Sequence, residues 1–463
     1  MATLHTQDLV AMVLQDEKYV DRLLFCEENE SFYLYIDEHK YYKLLTPRLL
    51  KKELNSFLKE KVQGKKNING AVLRDVIEIM SYSAYNTIQS PITPYIALKD
   101  KVLDTSVMEF VEHDENKKCF HMLDMQSEGV GQETPLFDKF LSEVLVKKDL
   151  TPDEELITVM QEALAYFLMG NLKMHDVFFF VGRGANGKSV LINVLSEFIG
   201  TDFTSAMTIQ ALTMDKFAAA QLLGKKINIC NEEESKFLKS DKFKALVSHD
   251  EVQVERKYMP SFRFRPTAKY LFATNNMPKF DVINEGIRRR VKIIPFHRTF
   301  SAVEQDRYLT DKLLTEMPGI VGKAMRAAKR LIENGLNFTS CKQMKEAGDE
   351  FEMTISGVVD FYNDQLEYDE EVFLPMAELY GLYHRWCKSK GKKPLSERNV
   401  GKELSTILRI ESVRQYDSDD KTTKRGYNLK RRDGAESVDN EYLNGGYSSY
   451  GDGESKEKQS FSF

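Results

Sequence analysis

A glycine-rich stretch between two apolar segments constrains the fold of this chain more than any other feature. Residues 182–189 read GRGANGKS and fit the phosphate-binding pattern GxxxxGK followed by Ser or Thr. VFFFV before the stretch is typical of a buried strand, and SVLINVLSEFI after it has helical spacing up to Gly200. Backbone N–H groups of such a loop, with the following helix N-terminus, surround phosphate oxygens. The setting therefore predicts a P-loop fold that binds a nucleoside triphosphate.

The side chains of this loop have separate tasks in such a site. Lys188 would reach the β- and γ-phosphates, and the hydroxyl of Ser189 would bind Mg²⁺. The predicted binding residues are Gly182, Arg183, Gly184, Ala185, Asn186, Gly187, Lys188, Ser189 and Val190.

Apolar runs between residues 173 and 300 predict the fold class. VFFFV, KINIC, KYLFATN and VKIIPF are short and are separated by glycines and helical stretches. Such runs are typical of strands buried on both faces of a mostly parallel sheet. The chain is therefore expected to have an α/β core. A base-reading NKxD pattern, as a GTPase would need, does not occur in the sequence.

Polar residues follow two of these runs. In NEEE, one acid would hold the Mg²⁺ shell through water, and a neighbouring acid would orient and deprotonate the attacking water. Glu232 is the first choice and Glu233 the second, and Glu234 stays possible. After KYLFAT, Asn275 could bond the γ-phosphate or the attacking water. A solvated acidic turn and an Asn-Asn turn before Pro278 fit the same letters.

Two basic segments lie near this core. Residues 249–270 alternate around a turn and predict a β-hairpin with Arg256, Lys257 and Tyr258 near its tip. A cation and a ring there suit a threaded nucleic-acid strand, although an ordinary solvated hairpin has the same pattern. Further on, EGIRRRVKIIPF places Arg288, Arg289 and Arg290 directly before an apolar run. They could be a charge run, a nucleic-acid contact or a group that acts at one position.

Composition excludes several classes. No run of eighteen apolar residues occurs, so a transmembrane helix is not expected, and the first residues do not predict a secretory signal. The five cysteines are scattered and never spaced CxxC, which argues for a reducing cytoplasm and against a zinc ribbon. Part of the net charge of −6 comes from residues 433–463, where seven Asp and Glu face two Lys. That tail is expected to be disordered.

Local patterns divide the rest of the chain. Residues 31–45 predict a hairpin, Thr46 caps a following helix, residues 95–103 predict a strand, and Thr151 with Pro152 begins a helix. The predicted domains are an N-terminal α+β domain (1–132), a helical collar (133–172), the ATPase core (173–300), a helical subdomain (301–365), a winged helix (366–432) and the acidic tail (433–463).

The ordered motifs resemble a known family. GxGxNGKS, GKK-x4-NE, the basic hairpin, ATNNMP and RRRVKIIPF are similar to those of superfamily 3 helicases of the phage and plasmid primase-helicase type. The helicase parts of poxvirus and other large-DNA-virus primase-helicases are similar too. YIALKDKVLD, PLFDKFL and QEALAYFLMG before the core, with EMPGIVGKA and ELYGLYHRWCKSKG after it, extend the resemblance over residues 20–432.

The resemblance implies an AAA+-like hexameric ring that hydrolyses ATP with Mg²⁺ at subunit interfaces. The ring would move 3′→5′ on single-stranded DNA and unwind duplex or forked DNA during phage, plasmid or viral replication in the host cytoplasm. The implied roles are phosphate and Mg²⁺ binding for Lys188 and Ser189, the Walker B acid for Glu232, sensor 1 for Asn275, DNA contact for Lys257 and Tyr258, and the arginine finger for Arg289, with Arg290 as the alternative.

Some expectations differ from the family pattern. No primase module is expected in this chain, so a primase or a single-strand-binding protein would be a separate partner. A P-loop ATPase that does not translocate, and instead remodels a replication partner as an initiator or loader, is the second reading. A small-molecule kinase is the third, and it would leave the hairpin and Arg289 without a role.

Overall fold

The computed structural model describes residues 4–432 apart from 65, 84–85, 115, 171–172, 234–236, 239, 256–260, 281–284, 356, 393, 407 and 419. The predicted acidic tail thus lies outside the described residues. The chain forms two compact units, Met1–Phe351 and Glu352–Phe463. Among the described residues, no helix has the length and apolar character needed to cross a membrane.

The chain begins with short helices and two small sheets. One sheet has the strand order β3-β2-β1-β4 and the other the order β5-β6-β7. Their elements are α1 (Thr6–Leu14), β1 (Leu23–Cys26), β2 (Ser31–Ile36), β3 (Tyr41–Leu45), α2 (Pro47–Val62), α3 (Gly70–Ser83), β4 (Thr87–Ile88), β5 (Tyr95–Ala97), β6 (Val102–Asp104) and β7 (Glu109–Val111).

Local patterns in this region predict the structure in part. The hairpin is confirmed as the antiparallel pair β2 and β3, and the Thr46 hydroxyl accepts the Leu49 N–H at the start of α2. The single strand expected over residues 95–103 is wrong. Leu98 donates its N–H to the Lys101 carbonyl, so the chain turns there and β5 pairs with β6 as a hairpin.

The remainder of the first unit is an α/β core with helices around it. The elements are α4 (Pro135–Val144), α5 (Glu154–Leu168), β8 (Val177–Val181), α6 (Lys188–Ile199), β9 (Thr204–Ser205), α7 (Ile209–Met214), α8 (Lys216–Ala219), β10 (Ile227–Cys230), β11 (Phe237–Leu238), α9 (Ser240–Val247), β12 (Val252–Val254), β13 (Phe262–Phe264), β14 (Lys269–Thr274), β15 (Lys279–Phe280), α10 (Glu285–Arg288), β16 (Val291–Pro295), α11 (Leu309–Leu314), α12 (Met317–Glu333) and α13 (Lys342–Ile355).

A five-stranded parallel sheet forms the centre of this core. Its order is β16-β8-β14-β10-β9, and each neighbouring pair is parallel. All residues of β10 and β14 are buried, as expected for strands that are covered on both faces. The predicted parallel sheet is therefore confirmed. Because all five strands point the same way, the loops after β8, β10 and β14 meet at one edge.

The start of α5 differs from the prediction. Asp153, not Thr151, caps the helix, since its carboxylate accepts the N–H groups of Glu155 and Leu156. The Thr151 hydroxyl donates to Asp149 instead, and Pro152 pairs with Val146 in an isolated bridge. Asp153 is the N-cap because its side chain reaches the first free N–H groups of the helix, whereas the Thr151 side chain is hydrogen-bonded within its own turn.

Helix α4 is held by the start of α12. The Glu316 carboxylate accepts the N–H groups of Leu136 and Phe137, at 3.0 and 2.9 Å, and so caps α4 from another helix. Glycines bring the two segments close together: a Cβ on Gly322 would lie 1.7 Å from the carbonyl oxygen of Val130. This packing fixes α4 beside the P-loop.

The second unit has its own apolar core around Trp386, Tyr383 and Phe361. Two helices followed by a β-hairpin occur where a winged helix was predicted, and the winged-helix assignment stays a prediction. The elements are α14 (Gly357–Gln365), β17 (Leu366–Tyr368), β18 (Leu374–Pro375), α15 (Met376–Ser389), α16 (Glu397–Thr406), β19 (Ser412–Asp417), β20 (Thr422–Tyr427) and β21 (Leu429–Arg431).

Candidate nucleotide-binding site

A cavity of about 740 Å³ opens at the carboxyl edge of the parallel sheet. Residues 184–190 of the P-loop form one wall, and Glu232, Glu233 and Asn275 come from the ends of β10 and β14. Seven of the nine predicted loop residues thus line it together with three predicted catalytic residues. Gly182 and Arg183 precede the lined stretch.

Backbone geometry explains why the loop ends in glycine. Gly187 has a φ of 85°, in the left-handed region, and forms the N-cap of α6. A Cβ at this position would also lie 2.5 Å from Cγ1 of Val144 in α4. Conformation and packing therefore both require glycine here, and they place the N-terminal N–H groups of α6 at the cavity.

The loop is rich in hydrogen-bond donors. The buried ammonium of Lys188 donates to the carbonyls of Gly182 and Arg183 and to Oδ1 of Asn186, the last at 3.2 Å. Burial lowers the pKa of Lys188. The buried Nδ2 of Asn186 finds no acceptor among the described residues. An unpaired donor beside a cation and a helix N-terminus fits an anionic group such as phosphate.

The two candidate acids have different surroundings. Glu233 is buried; its Oε2 accepts the N–H of Ile209 at 2.9 Å, and its own N–H donates to Ala273. It therefore ties the end of β10 to the start of α7. Glu232 is exposed at the cavity wall, where a carboxylate can meet a metal shell or water. Glu234 lies outside the described residues.

Asn275 is also exposed at the cavity, directly after β14. The turn that presents it is fixed by its neighbours: the Thr274 hydroxyl donates to the Asn276 carbonyl and accepts the Asn276 N–H. The Asn275 amide therefore stands at a defined place across from the P-loop. It can donate to and accept from a group in the cavity.

The arginines lie at the amino ends of the parallel strands, opposite the carboxyl ends where the cavity opens. They precede β16, and Val291 pairs with Val177 at the start of β8, whereas the P-loop follows the end of β8. The length of that strand, roughly 17 Å, separates them from the cavity of the same chain. The sheet therefore does not bring Arg289 or Arg290 to the other site residues.

The arginines differ in exposure. Arg289 is exposed. Arg290 is partly buried, and its guanidinium donates to the Ser248 hydroxyl at 2.8 Å and to the Gly286 carbonyl at 3.3 Å. Burial, and then the charge of Arg289, lower the pKa of Arg290. Arg290 is thus engaged within the chain, whereas the Arg289 side chain faces solvent.

The predicted β-hairpin between the acids and the amide is confirmed in its legs. β12 and β13 pair antiparallel, and Val254 opposite Phe262 is the outermost pair. The predicted DNA contacts Arg256, Lys257 and Tyr258 lie outside the described residues.

Some residues of the cavity were not predicted. Phe140 and Glu143 of α4 line it, as do Phe300, residues 304–307 and Leu309 after β16, and this segment includes Arg307. The Phe300 N–H donates to the Ala185 carbonyl at 2.7 Å and holds that segment against the P-loop. The sequence predicted a helical collar over residues 133–172, and PLFDKFL in it resembles the family, but neither signal placed α4 at the cavity. No local pattern marks residues 300–309.

Comparisons with known proteins show which proteins this chain resembles. A family of unknown function, DUF5906, matches residues 180–290, and a Poxvirus D5 protein-like family matches residues 357–445. A protein of Acanthamoeba polyphaga mimivirus named "Putative helicase L207/L206" is 28% identical over 161 residues. That match covers 33% of this chain and 17% of the mimivirus protein.

A solved structure supports the fold. The A form apo structure of the NrS-1 C-terminal region is similar over 88% of this chain and 96% of that chain, with a TM-score of 0.50 and 16% identity. The D5-like match, the mimivirus relative and this shared fold together confirm the resemblance to viral helicase-like proteins of the D5, primase-helicase type.

Proposed function

We propose that this protein is an ATP-driven replicative DNA helicase of superfamily 3. The proposal rests on one observation above all. The donor-rich P-loop, Glu232 and Asn275 share one cavity, while the exposed Arg289 lies at the far edge of the same sheet. Because the sheet keeps Arg289 away from the cavity of its own chain, Arg289 suits an assembly in which it acts on the nucleotide of a neighbouring subunit.

Within the cavity, each side chain has a task that its position allows. Lys188 and the α6 N-terminus bind the phosphates. Ser189 and Glu232 would hold Mg²⁺, which supplies positive charge beside the phosphate oxygens. Glu232 orients the attacking water and accepts its proton, and Asn275 hydrogen-bonds the γ-phosphate or that water.

Arg289 would act on the nucleotide of the next subunit in a hexameric ring. A planar guanidinium can donate two hydrogen bonds to phosphoryl oxygens as charge develops, which a lysine ammonium does less well. The contacts of Arg290 with Ser248 and Gly286 support Arg289 rather than Arg290 as the proposed finger.

DNA would pass the hairpin of β12 and β13, with Lys257 and Tyr258 as the expected DNA contacts, and translocation would run 3′→5′. The helicase name of the mimivirus relative and the D5-like match support a helicase of this general type. In the same proposal, residues 366–432 are a winged helix that contacts duplex DNA, and a primase is a separate partner.

The first test is ATP hydrolysis by the purified chain with and without single-stranded DNA, alongside sizing with ATP and Mg²⁺. We expect DNA to raise the ATPase rate and nucleotide to favour a ring. Lys188→Ala serves as the control and should abolish ATP hydrolysis both with and without single-stranded DNA. A monomer whose ATPase ignores DNA would instead favour the loader that does not translocate.

A further inference from the structure

The side-chain contacts of Arg290 form a path that leads away from the ATP cavity. Its guanidinium donates to Ser248, the residue that directly follows α9 and precedes the hairpin. The same guanidinium donates to Gly286, in α10, the short helix that leads into the arginine run. One side chain therefore joins the segment that carries Arg289 to the segment that begins the hairpin.

The path continues to the other leg of the hairpin. His249 follows Ser248, and its Nδ1 lies 2.9 Å from the carbonyl oxygen of Pro266, just after β13. His249 is buried and has a φ of 55°, a left-handed conformation that a non-glycine residue keeps only when its surroundings fix it. The two legs of the hairpin are thus clamped at their base.

The backbone of Arg290 is fixed as well. Its N–H donates to Ile287, and its carbonyl accepts the N–H of Val177 at the start of β8, the strand that leads to the P-loop. Arg290 is therefore held by the sheet on one side and holds Ser248 on the other. A shift of the arginine run would be passed to the base of the hairpin.

We infer that Arg290 is a positioning residue that couples the Arg289 finger to the DNA-contacting hairpin. The inference rests on the proposed function. When Arg289 engages the neighbour's nucleotide, the Arg290–Ser248 hydrogen bond carries the displacement to the clamped hairpin legs. Arg290 itself touches neither nucleotide nor DNA.

The test compares Ser248→Ala, Arg290→Ala and the double variant. Ser248→Ala removes one hydroxyl at a site outside the nucleotide cavity, so basal ATPase should stay within about twofold. DNA-stimulated ATPase should fall about threefold to tenfold, as expected for one lost hydrogen bond. Arg290→Ala should lower the stimulated rate at least as much, and the double variant should be no worse than Arg290→Ala.

Two further variants sharpen the result. Arg290→Lys replaces the two donating guanidinium nitrogens by a single ammonium nitrogen, so it should restore only part of the stimulation. Arg289→Ala is the comparison for a finger. The inference is overturned if Ser248→Ala keeps full stimulation, if the double variant's losses add, or if Arg290→Ala lowers basal ATPase as far as Arg289→Ala does. A wild type that DNA does not stimulate would instead refute the proposed helicase.

Discussion

At the scale of single residues, the adjacent acids Glu232 and Glu233 divide into two roles by their contacts. Glu233 is buried and accepts the Ile209 N–H with one carboxylate oxygen, while Glu232 is exposed at the cavity. In the proposed mechanism, the charge of Glu232 would therefore serve the metal shell and the water, whereas Glu233 ties the end of β10 to the start of α7. A pattern of letters cannot show this difference, since both acids follow the same strand.

The two acids can be separated by isosteric amides. Glu232→Gln should bind ATP normally and hydrolyse it about 100-fold more slowly or worse, because the base is lost. Glu233→Gln should stay within about tenfold of wild type, since its amide oxygen can still accept the Ile209 N–H. Single-turnover hydrolysis with parallel binding of a fluorescent nucleotide measures both, and urea unfolding checks that each variant folds. The opposite ranking would exchange the two roles.

At the scale of helices and strands, glycines in α12 set how closely it approaches the segment before α4. Gly322→Ala would place a Cβ 1.7 Å from the Val130 carbonyl oxygen, so the two segments must separate. We expect it to lower the free energy of unfolding by about 1–3 kcal/mol. Gly348→Ala in α13 is the matched control, because its Cβ meets nothing within 4 Å. It should raise the free energy of unfolding by about 0.5–1 kcal/mol. Urea unfolding of both variants decides; equal shifts would contradict the packing argument.

The same scale shows what the sequence could predict. The parallel sheet, the P-loop helix and the polar strand ends follow from apolar runs and their flanking residues, which are local. The cap at Asp153 was mistaken for Thr151, because the competing contact of Thr151 with Asp149 depends on turn geometry. The contribution of α4 to the cavity depends on Glu316, some 180 residues away along the chain, and no local pattern reports such a contact.

At the scale of the whole molecule, the position of the arginines favours an assembly in which subunits share their active sites. The cavity and Arg289 lie at opposite edges of one sheet, and Arg289 is exposed. In a ring with head-to-tail interfaces, one edge of each subunit can face the other edge of its neighbour. Activity would then belong to the interface, and damage to the two edges should be complementary.

Mixing two inactive variants tests this complementarity. Lys188→Ala lacks a working cavity but keeps Arg289, and Arg289→Ala keeps the cavity but should hydrolyse ATP about 1,000-fold more slowly or worse. In rings mixed one to one, a site works when its cavity comes from Arg289→Ala and its finger from Lys188→Ala. Each of these two conditions holds with a probability of about one half, so about a quarter of wild-type turnover should return. Lys188→Ala mixed with Glu232→Gln is the control and should recover nothing, because both lesions lie in the cavity. Rings that form without recovery in the first mixture would show that Arg289 does not act across the interface.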